Sequence, residues 1–240
     1  MLRTSVRFGK DSDEVKLNID KLVPKYARLP LIVAVMFNFA TYIGANLIVG
    51  DAPHTDISMK IDGLIPFCPF FITFYVLSYV QWVVGYIVIS HHSREYCYKV
   101  VTADLIAKTV CFLFYVFFPT TLVRPEITGN GFFEFVTRIV YAVDPASNLF
   151  PSIHCLESWV VFRCALKMKL PNWYKVLMGF FSLGVFASVV FVKQHVFIDI
   201  PAGVLVYELG YLITHLSGLH VAIMKRIPCK TDQNEIERQS

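Results

Sequence analysis

The stretch LIPFCPFFITFYVLSYVQWVVGYIVIS, residues 64–90, runs for 27 residues without a charged side chain. A helix of about 20 apolar residues crosses the roughly 30 Å hydrocarbon core of a bilayer. No soluble core helix needs so long an uncharged run, so this segment reads as a membrane span. Two more blocks repeat the signal: residues 31–50 are uncharged for 20 positions and 176–192 for 17. Hydrophobic residues make up 55% of the chain, above the roughly 45–50% of soluble domains. The reading is an all-α, polytopic membrane helix bundle with about six transmembrane helices, near 31–50, 65–90, 101–123, 152–169, 174–194 and 198–218.

Residues 1–28 carry seven Lys/Arg and no apolar leader core, so they read as a cytoplasmic N-terminal arm with a short amphipathic helix around 15–26. Residues 29–220 form the membrane domain and 221–240 a cytoplasmic C-terminal tail. The six cysteines contain no CxxC pair and suggest neither a disulfide framework nor a zinc site. Basic residues are distributed unevenly. The arm, 91–100, 163–175 and the tail together hold 17, whereas Lys60, Arg124, Arg138 and Lys193 are the four in the alternate loops. The positive-inside rule then places both termini in the cytoplasm, and loops 51–63, 124–151 and 193–197 on the extracytoplasmic or luminal face.

Three polar segments fall on that outer face: Arg124-Pro125 after the third span, Asn148 to His154 entering the fourth, and Ser188 to Asp199 joining the fifth and sixth. Ionisable groups at membrane depth are costly and point to function. His195 and Asp199 are four apart and share a face if helical. A carboxylate on one imidazole nitrogen fixes the tautomer and frees the other to attack phosphorus. Taken alone, such a pair is more often structural. Pro151-Ser152 resembles a helix start, where backbone N–H groups attract phosphate. His154 is placed to act as general acid, then base, although a capping serine beside an interfacial histidine is the blander alternative. Arg124 and Lys193 supply cations for phosphate oxygens, or simply snorkel to headgroups. Asp104 and Lys108 read as a charge-compensated pair within the third span. The set matters more than any member.

These residues resemble the type-2 phosphatidic acid phosphatase/haloperoxidase superfamily, in its membrane lipid phosphatase branch. The pattern there is K-x6-R-P, P-S-G-H and S-R-x5-H-x3-D. Arg124-Pro125 matches the end of the first motif, Pro151-Ser152-Ile153-His154 the second with Ile for Gly, and Ser188, His195 and Asp199 the third. Two cations of the pattern are absent, their positions being Phe117 and Val189, and Lys193 is the expected substitute. The Asn148-x-Phe-Pro-Ser-x-His and Lys-Gln-His runs resemble the inositol phosphorylceramide synthase-type phosphotransferases. The resemblance covers residues 100–205 or so. It implies six membrane helices and a phosphohistidine intermediate on His195, oriented by Asp199, with His154 as acid and base. It further implies that Ser152, Arg124, Lys193 and Ser188 bind phosphate, without metal or other cofactor. The expected partners are a membrane lipid phosphate and the bilayer, with no nucleic acid. Lipid phosphatase is the leading expectation and headgroup phosphotransferase the alternative. A transporter, or a non-catalytic lipid-binding relative, is the reading from other classes.

Overall fold

The structure, a computed structural model, describes residues 19–227. A short helix α1 (Ile19–Leu22) precedes Pro24, which caps α2 (Lys25–Val49). The other long helices are α4 (Ile72–Ser90), led by a 3-10 turn at Pro69–Phe71, α5 (Arg94–Phe117), α7 (Ile153–Lys167), α8 (Asn172–Phe191) and α9 (Asp199–Ser217). Short helices α3 (Lys60–Leu64), α6 (Phe132–Val143) and α10 (Leu219–Arg226) fill the connections. The strands β1 (Thr55–Asp56) and β2 (Thr120–Thr121) form one parallel pair.

Local chemistry explains several boundaries. Ser93 caps α5 by accepting from Tyr96 N at 3.1 Å, and Ser152 caps α7 by accepting from Cys155 N at 3.3 Å; each satisfies one of the amides a helix start leaves free. Gly218, at φ 64, adopts the left-handed conformation that ends α9, and α10 departs at 69°.

The central helix is α5. It packs against α2 on one side and α9 on another, and buries residues around its circumference, from Cys97 to Tyr115. Two glycines let α9 approach closely. A Cβ on Gly203 would sit 2.5 Å from the Ser152 carbonyl of α7's cap, and one on Gly210 would sit 2.7 Å from the Ala103 carbonyl of α5. Backbone atoms cannot yield as side-chain tips do, so both contacts require the missing side chain. The outward faces are apolar: Leu47 is 79% exposed, Val83 62% and Leu216 76%. In water such a belt would be a severe liability; against lipid it is the expected surface.

Among the described residues, four helices are long and apolar enough to cross a membrane: α2, α4 with its 3-10 lead, α5 and α8. The bent pair α9–α10 makes a fifth if counted as one span. The six spans expected from sequence therefore reduce to four or five on this measure. The fourth expected span, now α7, is only 15 residues long and carries His154, Glu157 and Arg163; it is a largely buried helix of the bundle. Loop 124–151 contains α6, a helix the reading by long apolar blocks missed because its 12 residues are too few to span. Of the expected helix around 15–26, the residues before 19 lie outside the described residues, as does the tail beyond 227; in the remainder α1 ends at Leu22 and Pro24 separates it from α2, so a single helix does not run through.

Alternating chain directions bring polar connections to two ends of the bundle. At one end Tyr26 bonds the Ser90 carbonyl and Arg94 bonds the carbonyls of Met224 and Ile227. At the other, Thr55 N bonds Pro119 O, Cys68 N bonds Phe191 O and Asn148 bonds Asn46.

Candidate functional site

The second end holds the residues singled out above. Helix α8 terminates at Val192 with Lys193 in the left-handed region at φ 50. Gln194 N then returns to Val189 O at 2.9 Å and Lys193 N to Val190 O at 3.4 Å, a Schellman closure. His195 N also donates to Val189 O, at 2.9 Å. The fully buried Val189 thus anchors the turn that presents Gln194 and His195. His195 is not helical; it lies in this turn, and Asp199 opens α9. Their contact at i, i+4 is made by the turn rather than by one helix face.

The tautomer of His195 follows from its partners. Nδ1 lies 2.9 Å from Leu149 O and 3.0 Å from Asp199 Oδ2. A carbonyl only accepts, and Asp199 Oδ2 already accepts from Val196 N at 3.1 Å. Nδ1 is therefore the donor, and in the neutral ring Nε2 holds the lone pair. The His154 ring lies 5.8 Å from that of His195, centroid to centroid. His154 is stacked on Tyr75 at 4.3 Å, and its Nε2 is 3.4 Å from the Tyr79 hydroxyl.

Both histidines line a cavity of about 640 Å³. Its walls are α2 and α4, through side chains such as Val35, Phe39 and Val83, which are also exposed on the outer surface. Gln194, Asn148 and Asp144 line it near the histidines. Gln194 and Asn148 are 2% and 4% exposed, and among the described residues Gln194 Nε2 and Asn148 Oδ1 have no hydrogen-bond partner. Asp144 accepts from the hydroxyls of Tyr42, at 2.7 Å, and Tyr75.

The remaining predicted residues are placed differently. Arg124 donates to Gln194 Oε1, and its guanidinium sits 4.3 Å above the Tyr141 ring; burial lowers its pKa. It reaches the cavity edge through Gln194. Ser152 is wholly buried as the cap of α7, and Ser188 donates to Val185 O at 2.8 Å within its helix. Lys193 Nζ bonds the carbonyls of Asp62 at 2.8 Å and Ile65 at 2.6 Å, tying the turn to the segment before α4. Desolvation lowers its pKa. None of these four side chains lines the cavity. Phe117, at a position where the resembled pattern has lysine, is 80% exposed. Sequence reasoning quoted Asn148 and Gln194 within motifs yet gave them no role; their neighbourhood to His154 and His195 was the available signal. Asp144, an isolated acid in a presumed loop, carried none.

A scan against protein families finds no match, and searches of curated proteins and of solved structures find no significant one.

Proposed function

We propose that this chain is an integral membrane phosphoryl-transfer enzyme that hydrolyses a lipid phosphate through a phosphohistidine. The observation carrying the reading is the His195 ring: Nδ1 is held by Leu149 O and Asp199, Nε2 is free, and the ring lines a cavity shared with His154. In the proposed reaction Nε2 forms a bond to phosphorus as the bond from phosphorus to the lipid oxygen breaks. His154 gives its proton to the departing oxygen. It then takes one from water, whose oxygen displaces His195 and releases phosphate. Gln194 Nε2 donates to a phosphate oxygen, and Arg124 behind it supplies the positive charge that holds the developing anion. This assignment favours Gln194 over the expected Lys193, because Lys193 is committed to two backbone carbonyls. The apolar walls of α2 and α4 receive the lipid chain.

In this reading α7 and α9 complete six crossings, and both termini are cytoplasmic. The end opposite His195 gathers Arg94, Lys99, Lys225 and Arg226, as the positive-inside rule asks of a cytoplasmic face. The test is phosphate release from a panel of lipid phosphates by the purified protein in EDTA. Release that disappears in His195→Ala supports the proposal. Equal release by both proteins contradicts it, and lipid-to-lipid transfer without release would replace hydrolysis by headgroup exchange.

A further inference from the structure

Asn148 stands one residue before the Leu149 carbonyl that holds His195 Nδ1. Its φ of 56 lies in the left-handed region, which asparagine tolerates better than most residues. Its amide faces two ways. Nδ2 donates to Asn46 Oδ1 on α2 at 2.7 Å, and Ser147 Oγ donates to the same oxygen at 3.2 Å. A third group fixes the orientation of both amides. The Tyr42 hydroxyl gives its proton to Asp144 Oδ1 at 2.7 Å, so its oxygen can only accept in its hydrogen bond with Asn46. Asn46 therefore turns its NH₂ to Tyr42 and its oxygen to Asn148, which leaves Asn148 Oδ1 as an acceptor. Asn148 is 4% exposed and lines the cavity with both histidines, and among the described residues its Oδ1 has no hydrogen-bond partner.

A buried acceptor facing a cavity is costly until something in the cavity brings it a donor. Gln194 Nε2 does not reach it, being itself unpartnered, and His195 Nδ1 is committed to Leu149 O and Asp199. The oxygens of an ionised phosphate only accept, so the lipid phosphate of the first half-reaction leaves Oδ1 unpaired. The acceptor of the second half-reaction is different. Water carries two protons. One passes to His154 as the oxygen attacks, and the other needs an acceptor of its own. A simple alcohol carries only one such proton and would leave Oδ1 without a donor.

We propose that Asn148 Oδ1 holds the water that attacks the phosphohistidine, and so selects water over a simple alcohol as the phosphoryl acceptor. The inference rests on the reading that His195 carries the phosphoryl group. As the water oxygen bonds to phosphorus, the bond from phosphorus to Nε2 breaks and its electron pair returns to the ring. One water proton goes to His154. The other stays on the oxygen now bound to phosphorus and donates to Asn148 Oδ1 throughout. Two fixed acceptors on one water aim its lone pair at phosphorus, the orientation that makes attack effectively unimolecular.

The purified full chain is given hexadecyl phosphate in buffer containing methanol, and inorganic phosphate and methyl phosphate are measured together. Both products arise from one phosphoenzyme, so their ratio does not depend on how much protein is folded or how fast it is phosphorylated. The wild type is expected to favour water about tenfold or more per mole of acceptor, the worth of one buried acceptor left unpaired. Asn148→Gly accepts the left-handed backbone and removes Oδ1. It is expected to raise the ratio of methyl phosphate to phosphate by about tenfold. An unchanged ratio in Asn148→Gly overturns the proposal. Methanol used as readily as water by the wild type overturns it too, and that comparison stands even if the variant fails to fold. Release abolished by His195→Ala together with an unmoved ratio in Asn148→Gly sinks only this inference. No phosphate product, or release untouched by His195→Ala, sinks the parent reading and the inference with it.

Discussion

Asp199→Asn discriminates between two ways of holding a catalytic imidazole. In a triad where the carboxylate alone sets the tautomer, this exchange costs about 10⁴ in rate. Here Leu149 O accepts from His195 Nδ1 at 2.9 Å in parallel with the carboxylate at 3.0 Å. The Val196 amide donates to the same carboxylate oxygen, so an asparagine places its own oxygen there and its NH₂ where Oδ1 lacked a partner. The tautomer survives, and only the charge assistance is lost. That difference is about 1.5–3 kcal/mol for a hydrogen bond to a charged group, or about ten- to a hundredfold in rate. The assay is single-turnover phosphate release under saturating lipid phosphate. A loss near 10⁴ would refute the argument that the Leu149 carbonyl shares the work. No loss would show that the pair plays no part in chemistry.

Other substitutions probe the surrounding shell. Gln194→Leu removes the unpartnered donor and strands Arg124, and is expected to lower kcat/KM by about 10²-fold, as for a lost oxyanion donor; steady-state kinetics decide it. Lys193→Met leaves turnover nearly intact but frees the carbonyls of Asp62 and Ile65. Its melting temperature should fall by a few degrees, at about 2–4 °C per kcal/mol for a chain of this size. Gly203→Ala drives a Cβ against the Ser152 carbonyl and is expected to lower both thermal stability and turnover by displacing the start of α7. Gly63→Ala, which meets nothing within 4 Å, is the neutral control, with a stability change within about 0.5 kcal/mol. Comparable losses in the two glycine variants would contradict the packing argument.

The long helices were legible because uncharged length is a one-dimensional property: residues 64–90 needed no knowledge of neighbours. Helix α7 was legible as a helix start at Pro151-Ser152 but not as an interior element, since its polar residues are satisfied by α4, α5 and α9. The pairing of His195 with Asp199 was readable from spacing, although the device is a Schellman turn followed by a helix start. Lys193 shows where charge misleads. A cation beside a catalytic histidine looks like a phosphate ligand, but its left-handed backbone turns the side chain toward the segment before α4. The neutral Gln194 lines the cavity instead. The partner that joins the buried Asp104–Lys108 pair was equally hidden, because Glu157 reaches Lys108 across two helices far apart in sequence.

The central claim is a covalent bond between phosphorus and His195 Nε2. Protein incubated with a radiolabelled lipid phosphate and quenched in alkali, where phosphohistidine survives, tests it directly. The account predicts label on the wild type and none on His195→Ala. Label retained by that variant, or hydrolysis by a wild type that never becomes labelled, would contradict it.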